Sequence, residues 1–124
     1  MDKPLAMIIE DDRSIGEIFE LALKDSFRVE KYRYGKSAMT RLDEVTPSII
    51  ILDLHLPDVP GRKILEIAHK DPKTRKPKVI LATADAVQAD FLREAVDIVL
   101  IKPISPIQLR QLASRLIKEE DLSS

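Results

Sequence analysis

Short apolar runs alternate with longer segments of helical periodicity along the chain. Two of the runs, residues 49–52 and 99–101, are continuous rather than alternating. Continuous runs of this length are typical of parallel strands that are covered on both faces. The pattern therefore predicts five strands, over residues 5–9, 27–32, 48–52, 79–82 and 98–101.

Each segment that follows a predicted strand carries apolar residues three or four positions apart, which is the spacing of one helix face. The first and the last stripe are the longest, with five residues each. The five stripes are Ile15, Ile18, Phe19, Ala22 and Leu23; Ala38, Leu42 and Val45; Ile64, Leu65, Ile67 and Ala68; Phe91, Leu92 and Ala95; and Leu109, Leu112, Ala113, Leu116 and Ile117.

Polar residues near the expected helix starts support this assignment. Ser14 begins a capping box of the form S-x-x-E, and Asp85 begins a looser D-x-x-Q version. Ser105 is followed by proline at the first helical position and by glutamine at the third. Because strand and helix alternate five times, the predicted fold class is α/β: a doubly wound, five-stranded parallel sheet with helices on both faces, the flavodoxin-like (βα)5 arrangement.

Composition narrows the function. The 124 residues suffice for one well-filled core. The balance of 20 Lys and Arg against 21 Asp and Glu excludes a generic binder of nucleic acid or membrane. The absence of cysteine excludes disulfides, thiolate catalysis and cysteine-based metal sites. Carboxylates follow the first apolar residues closely, so residues 1–12 are expected to be neither a signal peptide nor a membrane span, and a cytoplasmic location is expected.

Polar side chains stand at the ends of four predicted strands. Glu10 and Asp11 follow the first strand, and Asp53 follows the third. Thr83 follows the fourth strand and Lys102 the fifth. Ligands of doubly wound sheets bind at the carboxyl ends of the strands, so these residues are the candidate site.

Converging carboxylates repel one another, and a small hard cation relieves that repulsion. Mg²⁺ is held in this way by one or two carboxylates, a carbonyl oxygen and waters. A phosphoryl group on one carboxylate would share the cation, while Lys102 would offset its charge and Thr83 would donate a hydrogen bond to it. Asp12 and Asp85 have the simpler interpretation of helix caps or exposed residues.

Four motifs, in this order and register, span nearly the whole chain and together resemble the receiver domain of bacterial two-component response regulators. The motifs are Ile8-Ile9-Glu10-Asp11-Asp12, Leu52-Asp53-Leu54-His55-Leu56-Pro57-x-x-x-Gly61, Ala82-Thr83-Ala84 and Ile101-Lys102-Pro103.

This resemblance implies that Asp53 accepts a phosphoryl group from the phosphohistidine of a sensor histidine kinase or a phosphotransfer protein. It implies that Thr83 and Lys102 contact that group and link it to a surface formed by the fourth helix, the fifth strand and the fifth helix. The implied Mg²⁺ ligands are Glu10, Asp11, Asp53 and the main-chain carbonyl of His55. The implied receiver domain covers residues 1–120, with 121–124 as a tail or the start of a linker. A downstream output domain or protein is the implied partner, and a homodimer stays open.

Two departures from the family pattern concern output. Val99 stands where the family usually has an aromatic residue, three positions before the lysine. Thr83 and Lys102 are 19 positions apart, about three fewer than the family pattern, so the fourth helix or its loops should be about one turn shorter.

Other functions remain as alternatives. A haloacid-dehalogenase-type phosphatase would have a second aspartate two positions after the nucleophile, where this chain has His55. A module with the receiver fold that binds its partner without phosphorylation stays open, as does a receiver within a longer protein. The primary expectation is a signalling domain rather than an enzyme. Of the two histidines, His55 is expected to face solvent beside the site, and His69 to favour the last carbonyls of the third helix as a cation.

Overall fold

Strands and helices alternate along the chain in the computed structural model, which describes residues 2–70 and 76–123, the last five by their backbone alone. The strands are β1 (Leu5–Ile9), β2 (Arg28–Tyr32), β3 (Ile49–Leu52), β4 (Lys78–Thr83) and β5 (Ile98–Ile101). The helices are α1 (Arg13–Leu23), α2 (Gly35–Leu42), α3 (Gly61–Ala68), α4 (Ala86–Phe91) and α5 (Pro106–Ser123), with a 3₁₀ turn at Arg93–Ala95. All five predicted strands are present, with bounds within one residue of the pattern.

The strands form one parallel sheet in the order β2-β1-β3-β4-β5. From β1 the chain moves outward to β2 and then returns to the other side of β1 with β3. This change of direction opens a crevice at the carboxyl ends of β1 and β3, where doubly wound proteins bind ligands. The predicted fold class is confirmed.

Two apolar layers enclose the sheet. On β1, Ala6 and Ile8 face a cluster built with α1 and α5, while Met7 and Ile9 face the cluster of α2, α3 and α4. Every residue of β1 and β3 is buried, which explains why these strands have no polar alternation. Burial of their side chains on both faces holds the two strand ends that form the crevice.

The helix starts confirm two of the three predicted caps. Asp85 Oδ1 accepts a hydrogen bond from Gln88 N at 2.9 Å, and Ser105 Oγ accepts one from Gln108 N at 3.2 Å. The capping box at Ser14 is wrong, because α1 begins two residues earlier than that motif requires. Asp12 is the N-cap instead, and its Oδ1 accepts from Ile15 N at 3.0 Å. The interpretation of Asp12 and Asp85 as caps is thus confirmed.

The apolar stripe predicted for the fourth helix is wrong. α4 ends at Phe91, whose side chain is 83% exposed, and only Ala89 of this helix is buried. The helix has six residues, in agreement with the short spacing between Thr83 and Lys102.

The apolar stripe predicted for the second helix extends beyond that helix. α2 ends at Leu42, so Val45 lies outside it. At the carboxyl end, the backbone of α5 stays helical to Ser123, and the proposed domain limit at residue 120 remains a prediction.

Candidate functional site

Three carboxylates converge at the crevice between β1 and β3. Glu10 and Asp11 come from the β1–α1 loop and Asp53 from the end of β3, and one carboxylate oxygen of each lies within 4.8 Å of the others. Glu10 is 3% exposed and Asp53 is 5% exposed, while Asp11 is the more accessible member of the group. The structure therefore brings together the three carboxylates that the strand ends predicted.

Backbone hydrogen bonds fix this convergence by extending the sheet one residue beyond the strands. Glu10 N donates to Tyr32 O at 3.0 Å, and Asp53 N donates to Ile9 O at 3.0 Å. The chain then turns sharply, and each carboxylate stabilises its own turn. Glu10 Oε2 accepts from Asp12 N at 3.1 Å, and Asp53 Oδ1 accepts from His55 N at 3.2 Å.

Lys102 supplies the positive charge inside the site. Its Nζ donates a hydrogen bond to Asp53 Oδ2 at 3.0 Å and lies 2.6 Å from Glu10 Oε1. The backbone of Lys102 is anchored by its N–H, which donates to Thr83 O at 2.9 Å. The following peptide bond, to Pro103, is cis. Lys102 thus connects the end of β5 to the carboxylates of β1 and β3.

The buried charges perturb each other's protonation. Burial raises the pKa of Glu10 to about 7, and the negative charge of Asp53 adds to this shift even though Lys102 opposes it. Burial also lowers the pKa of Lys102, but its bonds to Glu10 and Asp53 outweigh burial, so that the net shift is upward. Lys102 is therefore firmly cationic, whereas the charge of Glu10 is marginal at neutral pH.

The donor set fits a hard divalent cation. Glu10 Oε1 is buried, and its partner among the described residues is the ammonium of Lys102, 2.6 Å away. Three carboxylates face one ammonium group, which leaves negative charge to be compensated. Oxygen ligands of this kind are those that Mg²⁺ prefers in proteins.

Thr83 and His55 are the neighbours of Lys102 and Asp53: Thr83 O accepts from Lys102 N, and His55 N donates to Asp53 Oδ1. Thr83 is fully buried at the end of β4, and its Oγ1 accepts from Asp85 N at 3.2 Å. The His55 side chain is 66% exposed, which confirms that it faces solvent. Its Nε2 lies 2.9 Å from Asp85 Oδ2, and so the β3–α3 loop is joined to the cap of α4. The role of the His55 carbonyl as a metal ligand stays a prediction.

Two residues near the site were missed by the sequence analysis. Arg33 Nε donates to the main-chain oxygen of Asp11 at 3.1 Å, and Asp58 accepts from the backbone N–H groups of Gly35 and Lys36. Both contacts join residues more than twenty positions apart. Arg33 directly follows β2, so the rule of polar residues at strand ends could have found it, whereas Asp58 lies inside the β3–α3 loop and no local pattern marks it.

Comparison with known proteins decides the family. The sequence profile of the response regulator receiver domain matches residues 6–114. The chain belongs to this family. Receiver domains are signalling domains of two-component systems, and Mg²⁺ binds in the active site of the family.

The similar proteins include transcriptional regulators and isolated receivers. The transcriptional regulatory protein QseB of Escherichia coli O157:H7 is 31% identical over 115 residues, which are 90% of this chain and 52% of QseB. The receiver domain of a LuxO repressor protein from Vibrio parahaemolyticus is 26% identical, with a TM-score of 0.86 over 98% of this chain and 95% of its own.

A third similar structure, the receiver domain of the sensor histidine kinase PA1611 from Pseudomonas aeruginosa, has a magnesium ion in its active site cleft. It is 22% identical, with a TM-score of 0.82 over 94% of this receiver and 98% of its own chain, and so supports the fold alone. The chain spans about half the length of the curated relatives it matches. Within the residues that the structure describes, no helix is both long and apolar enough to cross a membrane.

Proposed function

We propose that this receiver is a phosphorylation switch in which Asp53 accepts a phosphoryl group in the presence of Mg²⁺. The observation that carries the proposal is the environment of Asp53. This buried carboxylate lies beside the carboxylates of Glu10 and Asp11, and its Oδ2 is held by Lys102 at 3.0 Å. Such a grouping is unfavourable for folding unless a cation compensates its excess negative charge.

The two Asp53 oxygens have different surroundings. Oδ1 accepts from His55 N, and Oδ2 contacts the ammonium of Lys102. These contacts hold the carboxylate in one orientation, which is what a nucleophile for in-line phosphoryl transfer needs. A separate general base is unnecessary, because a carboxylate nucleophile has no proton to lose as it attacks.

The transfer exchanges one bond to phosphorus for another. An oxygen of Asp53 forms a P–O bond as the P–N bond to the donor's imidazole breaks, and the electron pair of that bond stays with the imidazole. When bound, Mg²⁺ neutralises the phosphoryl oxygens and aligns them with the acceptor. Glu10, Asp11 and Asp53 would hold it, together with the His55 carbonyl. Lys102 and Thr83 then contact the transferred group.

The switch follows from the contacts of Lys102 and Thr83. Lys102 is bound to two carboxylates before transfer, and a phosphoryl oxygen offers it a stronger partner. Differential contacts of this kind shift an existing conformational equilibrium toward the output state. The partners that we propose are a sensor histidine kinase or a phosphotransfer protein upstream and an output domain or protein downstream. We also propose that the receiver works in the cytoplasm.

The test is the intact mass of the protein after incubation with Mg²⁺ and acetyl phosphate. We expect a gain of one phosphoryl group, about 80 Da, in the unmodified protein but not in Asp53→Asn or when Mg²⁺ is chelated. Asp43→Asn is the matched control, because this exposed carboxylate contacts only Lys70, at 3.9 Å, among the residues described. Equal phosphate incorporation by Asp53→Asn would show that the acceptor is another residue.

A receiver fold that binds its partner without phosphorylation is the second candidate. The observations that favour it are the short α4 and Val99, since both alter the surface that a phosphorylated receiver would rearrange. No mass gain in a folded protein that also fails to bind Mg²⁺ would support this function instead.

A further inference from the structure

We propose that residues 33–36, which are the β2–α2 connection and the first two residues of α2, hold the two loops that carry the candidate metal ligands, and that Arg33 and Asp58 are positioning residues for metal binding. The inference rests on the proposed function, since it assumes that the carboxylate cluster binds Mg²⁺. Arg33 and Asp58 lie outside the ligand set and act through the backbone of their neighbours.

Asp58 ties the β3–α3 loop to the first turn of α2. Its Oδ1 accepts from Gly35 N at 2.8 Å, and its Oδ2 accepts from Lys36 N at 2.9 Å. Hydrogen bonds between a carboxylate and backbone N–H groups are among the stronger ones in proteins. In keeping with them, the bond from Lys36 is the main cause of a lowered pKa of Asp58.

Arg33 ties the same connection to the acidic β1–α1 loop. Its Nε donates to the main-chain oxygen of Asp11 at 3.1 Å. Asp11 is both a candidate ligand and the most accessible member of the carboxylate cluster. The other hydrogen bonds beside it, among the residues described, belong to the turn around Asp12. The contact from Arg33 therefore restrains the ligand that has least packing around it.

The strand order explains how one connection reaches both loops. β2 is an edge strand and β1 lies between β2 and β3. The connection after β2 passes over the end of β1 and meets the loop after β3. The two segments lie so close together that a Cβ added to Gly35 would overlap Val59 Cγ2. Glycine at this position lets the two loops pack directly against each other.

The β3–α3 loop is also fixed where it rejoins the fold. Gly61 N donates to Leu54 O at 3.2 Å, and His55 pairs with Pro60 in an isolated bridge. With Asp58 bound to α2, residues 54–60 are restrained in the middle as well as at their ends. Groups that orient metal ligands in this way commonly change metal affinity by 10–100-fold when they are removed.

The experiment measures Mg²⁺ binding by calorimetry at a temperature where every variant is folded. We expect Asp58→Ala to weaken Mg²⁺ binding about tenfold and Arg33→Ala to weaken it severalfold. Asp58→Asn keeps one acceptor oxygen but turns its amide NH2 toward the other backbone N–H, so its loss should be intermediate and no greater than that of Asp58→Ala. Asp97→Ala is the structural control, since Asp97 accepts from Val79 N at 2.8 Å at the opposite end of the sheet. Its Mg²⁺ affinity should be unchanged.

A second readout does not depend on the metal. Without Mg²⁺, the amide protons of Gly35 and Lys36 should exchange faster in Asp58→Ala than in the unmodified protein. The double variant Arg33→Ala/Asp58→Ala should lose less affinity than the product of the two single losses, because both residues act through one connection.

Several results would overturn the inference. These are Mg²⁺ affinity unchanged in Asp58→Ala, an equal loss in Asp97→Ala, or losses that simply multiply in the double variant. Failure of the proposed function has a different signature: the unmodified protein itself would neither bind Mg²⁺ nor gain phosphate, and the inference would fall with it.

Discussion

Glu10 shows at the scale of one residue why this site suits a cation. The side chain is buried, and Asp53 adds a second negative charge nearby. Together these raise the pKa of Glu10 to about 7. A bound proton then neutralises the negative charge that a metal ion would otherwise compensate. Proton and Mg²⁺ then compete for the same carboxylate.

This competition predicts a pH dependence of Mg²⁺ binding. Because the folded carboxyl has a raised pKa, it binds a proton below pH about 7 and must release it when the metal binds. We expect the apparent Mg²⁺ affinity to fall about tenfold per pH unit below 7 and to level off above it. Calorimetric titrations between pH 5.5 and 8.5 would measure the slope.

Two variants identify the titrating group. Glu10→Gln should bind Mg²⁺ more weakly and lose the pH step. His55→Gln is the control, since histidines ordinarily titrate in the same pH range, and it should keep the step. A step that disappears in His55→Gln and persists in Glu10→Gln would contradict this assignment.

His69 shows the limit of reasoning from residue type. A histidine at the end of α3 was expected to be a cation beside the last carbonyls. The residue is the C-cap of α3, but burial lowers its pKa and the positive charge of Lys76 adds to that shift. The expectation is wrong, because it considered only the helix and not the neighbouring strand connection.

At the scale of an element, Gly16 and Gly61 differ in what an added side chain would meet. Gly16 lies inside α1, and a Cβ there would approach Lys31 Cδ no closer than 4.0 Å. Gly61 begins α3, and a Cβ there would lie 2.8 Å from Leu54 Cα and 3.2 Å from Asp53 O. The obstacle at Gly61 is the backbone beside the acceptor carboxylate, which has little freedom to shift.

These environments predict opposite effects of alanine. Gly16→Ala should raise the free energy of unfolding by about 0.5–1 kcal/mol, since alanine favours the helix and meets no obstacle. Gly61→Ala should lower it by about 1–3 kcal/mol through overpacking. Urea unfolding of both variants measures the difference. A Gly61→Ala protein as stable as the unmodified one would mean that the backbone around Leu54 yields easily.

The strands were predictable because burial on both faces leaves a simple pattern. In β3, for example, all four residues are apolar and all four are buried. The helix details were less predictable. Phe91 fitted an apolar stripe, but three residues cannot fix the orientation of a helix that has only six. The start of α1 was misplaced because Asp12 and Ser14 are both good caps, and local sequence does not choose between them.

At the scale of the whole molecule, the sheet topology brings together site residues that lie far apart in the sequence. The convergence of Glu10, Asp53 and Lys102 was predictable, since the ends of parallel strands meet at one edge. The contacts of Arg33 with Asp11, and of Asp58 with α2, were not predictable. They depend on how a loop after an edge strand crosses its neighbour, which hydrophobic periodicity does not encode.

The assembled cluster also ties metal binding to global stability. Mg²⁺ that binds only the folded chain stabilises it by about 2.7 kcal/mol at a concentration one hundred times its Kd. For a chain of this size that corresponds to a rise in Tm of about 10 °C. We expect this rise in the unmodified protein and in Asp43→Asn, whose exposed carboxylate lies outside the cluster.

Asp53→Asn should behave differently in the same thermal melts. Without Mg²⁺ its Tm should equal or exceed that of the unmodified protein, because one buried negative charge is gone and Lys102 keeps Glu10 as a partner. With Mg²⁺ its Tm should rise far less, because one ligand is lost. An equal rise in Asp53→Asn would place the bound metal elsewhere on the surface. Lys102 would then be the cation that compensates the buried carboxylates of Glu10 and Asp53 in the unmodified protein.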